Sequence, residues 1–369
     1  MKRIFAVLLA LLLMMPLRAA AAEQTRYVSA LLEAQTGMLL GGSDADVPVP
    51  AGSQTKLMTV YLTAEAMDAE LLSAETLLTV PAAAERYPGA TVWLRAGEKM
   101  TVSDLLKAVI TGNANDACIT LAYAVSGTEQ AFVNDMNAAA FALGMRQTHF
   151  ADCTGTAAEN ITTAGDLALL CRALLAYDFL TPLFTAYRDT LRGGETELVS
   201  ENRLTHDYEG VLGMKAGHGT ESGYTLTLAA ERDGMRMIAV VLGCDDRDSR
   251  FSDAKKLLSE GFAGFTVMTP DFSAEHLKPL PVRGGTADAV LPETAELLSV
   301  AAPKGSSISS VTCLPAYITA PVRRGQVLGM AAVYCGDTLL YEIPLTAADD
   351  VPRRGLRETA VLLLRAMFR

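Results

Sequence analysis

From Tyr27 to Leu40 the chain runs through an alternating stretch, a Gln35-Thr36-Gly37 turn and a second apolar run, which together predict a β-hairpin. The period then changes. Over about Ser53 to Met67, Leu57, Tyr61, Ala64 and Met67 are spaced to share one helical face. Further helical segments are expected over Val102–Thr111, Ala114–Val125, Glu129–Leu143 and Ala164–Ala176. Strand-like runs return at Gly223–Glu231 and Met235–Gly243, joined at Arg232-Asp233-Gly234 as a hairpin. A charged helix is expected over about Ser252–Phe262. Strands thus open and close the unit, with helices between. That order predicts an α/β (α+β) arrangement, an antiparallel sheet whose first and last strands are neighbours, flanked by helices. The texture changes near Thr269-Pro270. From Asp271 to Asp350 short valine-rich strands are broken by glycine and proline, as at Pro281–Gly285 and Gly325–Gly329, which predicts a small all-β domain.

The two ends stand apart. Lys2 and Arg3 precede an apolar run from Ile4 to Leu17, and Ala20-Ala21-Ala22 offers a small-residue cleavage site. Residues 1–22 therefore have the pattern of a secretory signal peptide, against the alternative of a retained anchor, and the mature protein is expected outside the cytoplasm. At the other end, residues 351–369 form an amphipathic pattern. Arg354, Glu358, Arg365 and Arg369 share one side of a helical wheel; Leu356, Ala360, Leu363, Leu364 and Met367 share the other. Such a helix suits the headgroup layer of an anionic membrane, on the outer face of the cytoplasmic membrane; the alternative is a helix docked on the protein's own core.

Composition narrows the classes. Half of the 369 residues are hydrophobic, 20% are charged, and the net charge is -11. That is ample material for a buried core and argues against a disordered chain and against a nucleic-acid partner, which needs a basic surface. Six cysteines occur at wide spacings, Cys118, Cys153, Cys171, Cys244, Cys313 and Cys335, and leave disulfides and buried free thiols both open. With no CxxC and no paired histidines, no metal and no cofactor is expected.

Three motifs could carry chemistry. In Ser53-Gln54-Thr55-Lys56 a serine is followed one helical turn later by a lysine on the same face, which can take the hydroxyl proton. A second copy, Ser252-Asp253-Ala254-Lys255, lies in a charged, solvated context, whereas Ser53 opens an apolar helix that can bury and activate its lysine. Asn113-Ala114-Asn115 sits at a helix–helix junction, where its amides could hold a peptide backbone or simply cap a turn. Lys215-Ala216-Gly217-His218 precedes a strand; a lysine there could attract a carboxylate, and a glycine lets backbone approach a ligand.

In that order and spacing, the three motifs resemble those of penicillin-recognising serine acyl transferases. The neighbouring segments Pro50–Thr59, Trp93–Glu98, Phe132–Asn137, Leu143–Met145, Thr148–Phe150, Thr163–Ala168, Gly213–Lys215 and Ile238–Gly243 are similar to those of the serine-type D-alanyl-D-alanine carboxypeptidases, the low-molecular-mass penicillin-binding proteins. The resemblance covers nearly the whole mature chain. It implies a penicillin-binding-protein/serine β-lactamase-like transpeptidase fold over residues 23–268, the all-β domain over 271–350 and a membrane-anchor helix over 351–369. Carried over residue by residue, it implies that Ser53 attacks the carbonyl between two terminal D-alanines, with Lys56 as base. Asn115 would position substrate and hold Lys56. The N–H groups of Ser53 and His218 would form an oxyanion hole. Asn113, Lys215, Gly217 and Arg250 would contribute to substrate binding, Lys215 and Arg250 toward the carboxylate. The implied substrate is a peptidoglycan stem pentapeptide, and β-lactams are implied as covalent inhibitors.

Two positions depart from the family pattern. Asn113 stands where the family has serine, and Ala216 where it has threonine. An amide cannot relay a proton as a hydroxyl does, and alanine offers no hydrogen bond to a carboxylate. The expectation is an altered but working enzyme, and the alternative is a catalytically impaired peptidoglycan-binding pseudoenzyme. A β-lactam hydrolase fits less well, because Glu159 is wrongly spaced to activate a deacylating water.

Overall fold

The computed structural model describes residues 26–270, 277–294, 298–357 and 359–361. The signal-peptide reading of residues 1–22 lies outside them, as does the C-terminal helix beyond residue 361.

The first hairpin forms as strands β1 (Val28–Glu33) and β2 (Leu39–Ser43). Helices α1 (Lys56–Asp68), α2 (Val102–Ile110), α3 (Asn115–Ser126), α4 (Glu129–Ala142) and α5 (Ala164–Leu174) follow. Three of them begin on a threonine whose hydroxyl accepts the third backbone N–H of the first turn: Thr101, Thr128 and Thr163. The chain then returns to the sheet in β3 (Val211–Gly213), β4 (Ala216–Gly219), β5 (Gly223–Arg232) and β6 (Met235–Cys244), and α6 (Ser249–Gly264) closes the unit. The β5–β6 turn falls at Asp233-Gly234, both at positive φ, as a tight two-residue hairpin requires.

The sheet runs β4-β5-β6-β1-β2, with β3 along the same edge of β5 as β4. First and last strands are antiparallel neighbours, Val28 opposite Leu242 and Leu32 opposite Ile238. Both faces are covered. Ile238, Val240 and Leu242 pack into the large core under α1–α5, while Met237, Ala239 and Val241 pack against Phe251, Ala254 and Leu258 of α6. Burial on both faces explains why β6 reads as an unbroken apolar run and not as an alternation.

Beyond α6 a strand over Phe265–Met268 pairs with Val300–Pro303. A four-stranded sheet of Pro292–Thr294, Thr338–Ala347, Val327–Cys335 and Ile308–Cys313 builds the β-rich C-terminal domain around cores of its own. A small hairpin, Arg188–Leu191 with Thr196–Val199, is absent from the sequence reading; it buries one residue per strand, so it carries no apolar stripe to find. All six cysteines are free thiols and four of them are buried. Ser252 of the second Ser-x-x-Lys copy is exposed and donates only to its own helix, at Ser249.

Candidate active site

Ser53 lies in a one-turn 3-10 helix, Gly52–Thr55, that runs directly into α1. This places Lys56 at the first position of the α-helix, buried to 2% exposure, with its Nζ donating to the Thr154 carbonyl at 2.6 Å. Burial lowers the lysine's proton affinity, and only partial compensation comes from surrounding negative groups, Asp152 among them. A lysine held in this way is closer to a neutral base than a solvated one.

The carbonyl that receives Lys56 is fixed by a residue the sequence reading did not single out. Asp152 accepts from the Thr154, Gly155 and Ala157 backbone N–H groups and from the Thr154 and Thr156 hydroxyls. Burial would raise its pKa, but those donors outweigh it and hold the carboxyl below the usual value. The local signal is Asp152-Cys-Thr-Gly-Thr156, an aspartate ahead of small hydroxyl residues and glycine, which favours side-chain-to-backbone turns.

Gln54 ties the serine turn to the sheet. Its Nε2 donates to the Thr225 hydroxyl at 2.9 Å and the Lys215 carbonyl at 3.1 Å, and the Thr227 hydroxyl donates to its Oε1 at 3.1 Å. All three side chains are fully buried. Strand β4 passes so close to the serine that a Cβ at Gly217 would sit 2.6 Å from the Ser53 Cβ. Glycine is therefore required there for packing.

The third wall comes from the α2–α3 corner. Asn113 has φ 56°, a left-handed conformation that asparagine takes more readily than most residues, and its Nδ2 donates to the Ser53 Oγ at 3.4 Å. Asn115 opens α3. Its Nδ2 donates to the Pro88 carbonyl at 2.6 Å, and its buried Oδ1 has no partner. The expected hold of Asn115 on Lys56 is not made: Lys56 Nζ donates to the Thr154 carbonyl, and the Asn115 Oδ1 has no partner.

Ser53, Lys56, Asn113, Asn115 and His218 line one cavity of about 530 Å³. His218 stacks on Tyr224, and its Nδ1 stands 3.4 Å from Glu201 Oε2. Lys215 lies behind this wall, buried, with Nζ donating to the Val109 carbonyl at 3.3 Å. Burial, reinforced by the charge of Lys56, brings its pKa down to about 7. Ala216 and Arg250, like Lys215, lie outside the cavity lining. Ala216 is packed in the core with Leu204, Leu226 and Phe251, and it does not line the cavity. Arg250 is also buried outside the lining; it donates to the Gly217 carbonyl, lies 3.5 Å from Glu201 Oε2 and packs over Tyr224 and Phe251. Its place makes it a strut behind β4. Cys118 and Cys153 are also close to Lys56, but burial pushes Cys118 up to about 12 and Cys153 well above its usual value. Serine, not thiol, is the available nucleophile.

Comparison with known proteins identifies the family. The family described as D-alanyl-D-alanine carboxypeptidase matches residues 17–246. The chain belongs to that family. The penicillin-binding protein 5 C-terminal domain matches residues 275–353. Among curated members of the D-alanyl-D-alanine carboxypeptidases, DacF of Bacillus subtilis is 31% identical over 332 residues, spanning 88% of this chain and 85% of the relative. Penicillin-binding protein 5 of Haemophilus influenzae shares the fold, with a TM-score of 0.81 at 24% identity over 89% of this chain and 98% of that one. The ampicillin-bound penicillin-binding protein D2 of Listeria monocytogenes matches with a TM-score of 0.58 at 30% identity, over 64% of this chain and 96% of its own.

Proposed function

We propose that the chain is a serine D-Ala-D-Ala carboxypeptidase that removes the terminal D-alanine from peptidoglycan stem pentapeptides and is acylated by β-lactams. The observation that carries this reading is the convergence of Ser53, the buried Lys56 and the Asn113 amide on one cavity. Lys56 takes the Ser53 proton as Oγ attacks the scissile carbonyl. The Ser53 and His218 N–H groups receive the developing oxyanion. Lys56 returns the proton to the leaving D-alanine amine, and water hydrolyses the resulting acyl-serine ester. Asn115 and Asn113 position the peptide. Lys215, in its protonated form, attracts the substrate carboxylate through the wall, and Gly217 keeps β4 against the serine. Arg250 serves by holding the Gly217 carbonyl and, with it, the edge of β4.

The impaired-enzyme reading rests on Asn113, whose amide can donate to Ser53 Oγ but cannot shuttle a proton. One experiment separates the two. A fluorescent penicillin adds one penicilloyl unit to the mature chain, read by intact mass, and none to Ser53→Ala. Diacetyl-Lys-D-Ala-D-Ala then releases D-alanine. An adduct without release supports the impaired enzyme, and no adduct at high drug concentration removes the catalytic reading.

We further infer that residues 1–22 direct export and that the C-terminal helix holds the enzyme on the outer face of the cytoplasmic membrane. Helical residues 356–357 and 359–361 and the 93% exposure of Leu356 support an apolar side free to meet lipid. In fractionated cells the penicillin label sits with membranes for the full chain and becomes soluble when residues 353–369 are removed. Equal partition of both forms would rule the anchor out.

A further inference from the structure

Trp93 is the chain's sole tryptophan, and it is 78% exposed. Its backbone has φ 55°, a region in which a bulky side chain is an outlier. Such strain persists only where the surroundings impose it. Here the surroundings are the active-site corner itself. Residues 88 to 94 are strapped to the start of α3 at every second position. Asn115 holds the Pro88 carbonyl through its side chain and the Ala90 carbonyl through its N–H, at 2.6 and 2.7 Å. The Asp116 Oδ2 accepts from the Val92 and Leu94 N–H groups at 3.1 and 2.9 Å. Arg192 donates to the Val92 carbonyl at 3.1 Å. Val92 and Leu94 are buried, and the indole between them is left facing solvent.

The strap fixes where that indole is displayed. Gly89 and Ala90 of the same segment line the cavity that holds Ser53. Trp93 is three residues further on, so its Cα lies within about 11 Å of the Ala90 Cα. Gly89, Ala90 and Arg95 of the same segment are exposed and carry no large apolar side chain, so within residues 88 to 95 the indole is the one large apolar surface offered to solvent. A flat aromatic face with a single N–H at its edge suits a ligand with one apolar face and a polar edge. A pyranose ring has that shape, with axial C–H bonds on one face and hydroxyl and amide groups around it. The two amides flanking the indole are held by one buried carboxylate, so the platform is rigid before any ligand arrives.

We propose that Trp93 is a stacking subsite for an N-acetylated sugar of the glycan strand that carries the stem peptide. The inference rests on reading the cleft as a peptidoglycan-processing site and extends it from the peptide to the polymer.

The lone tryptophan makes the test direct, because its emission reports this site alone. In the Ser53→Ala protein, which cannot turn substrate over, a disaccharide-pentapeptide and an N-acetylglucosamine tetramer each shift the emission to shorter wavelength and saturate. Free diacetyl-Lys-D-Ala-D-Ala leaves the emission unchanged. In the otherwise unaltered protein, Trp93→Gly, which keeps the left-handed backbone and removes only the ring, lowers kcat/KM on the disaccharide-pentapeptide about tenfold through KM, and leaves kcat/KM on the free peptide within about twofold. Trp93→Phe recovers most of the loss. Emission unmoved by either sugar ligand overturns the proposal. So does an equal fall on both substrates, which assigns Trp93 to holding the loop. Failure of penicillin to acylate Ser53 would instead overturn the catalytic reading, and the emission arm is independent of it.

Discussion

Lys56→Met slows penicilloylation of Ser53 by about a thousandfold, the scale of a lost general base, while the protein remains folded. Methionine keeps the length of the lysine stem and removes the ammonium. Two effects on stability oppose each other. A buried ammonium no longer has to be desolvated, but the Thr154 carbonyl loses its donor, a penalty of about 1–3 kcal/mol. The melting temperature therefore moves by only a few degrees, and lost activity is not lost fold. The pH dependence is a second signature. Burial lowers the pKa of both Lys56 and Lys215, the latter from 10.5 to about 7. Between these pH values the unfolded chain holds protons that the folded one has released, so stability rises with pH across that window and falls away as pH drops toward 7. Melting temperatures measured from pH 7 to 9 rise in the native protein. They rise less in Lys56→Met, which lacks one buried lysine and lets the pKa of Lys215 recover toward its usual value. An adduct forming at the native rate would remove Lys56 from the reaction.

Much of this was legible from the chain alone. The period-3.6 segments and the apolar runs of β5 and β6 marked the helices and the sheet, because both are set by burial that repeats along the sequence. The Ser53, Asn113 and Lys215 motifs stood out by order and spacing, and the structure brings them to one corner. What stayed hidden depends on the path of the backbone. β4 has only four residues and its side-chain direction follows from its pairing with β5, so the turn of Ala216 into the core was not visible. Arg250 was expected toward the substrate carboxylate, yet α6 buries it against β4, outside the cavity lining. The brace made by Gln54 joins positions more than 160 residues apart, and no local pattern announces it. Asp152 was the one omission with a local signal, in its run of hydroxyl and glycine neighbours.

Asp152→Ala should be the most damaging single change to the site that touches no reacting atom. The carboxylate accepts from three backbone N–H groups and two hydroxyls; the hydroxyls also lie 3.0 Å from each other, but the three N–H groups lose the acceptor they have. Losing it costs about 3–5 kcal/mol, a fall in melting temperature of roughly 10 °C. The sign with pH follows from the lowered pKa. The folded carboxyl ionises below 3.8, so its stabilisation is complete above that value and is lost as pH falls through the lower folded value. The native protein should lose stability more steeply than the variant as pH falls below 3.8. The same turn also presents the Thr154 carbonyl to Lys56, and so the damage reaches the chemistry. At 20 °C, where the variant is still folded, acylation by penicillin should be slowed tenfold or more, about 1.4 kcal/mol of lost positioning. A destabilised variant that acylates at the native rate would show that α1 alone places the lysine and that the turn only braces the wall.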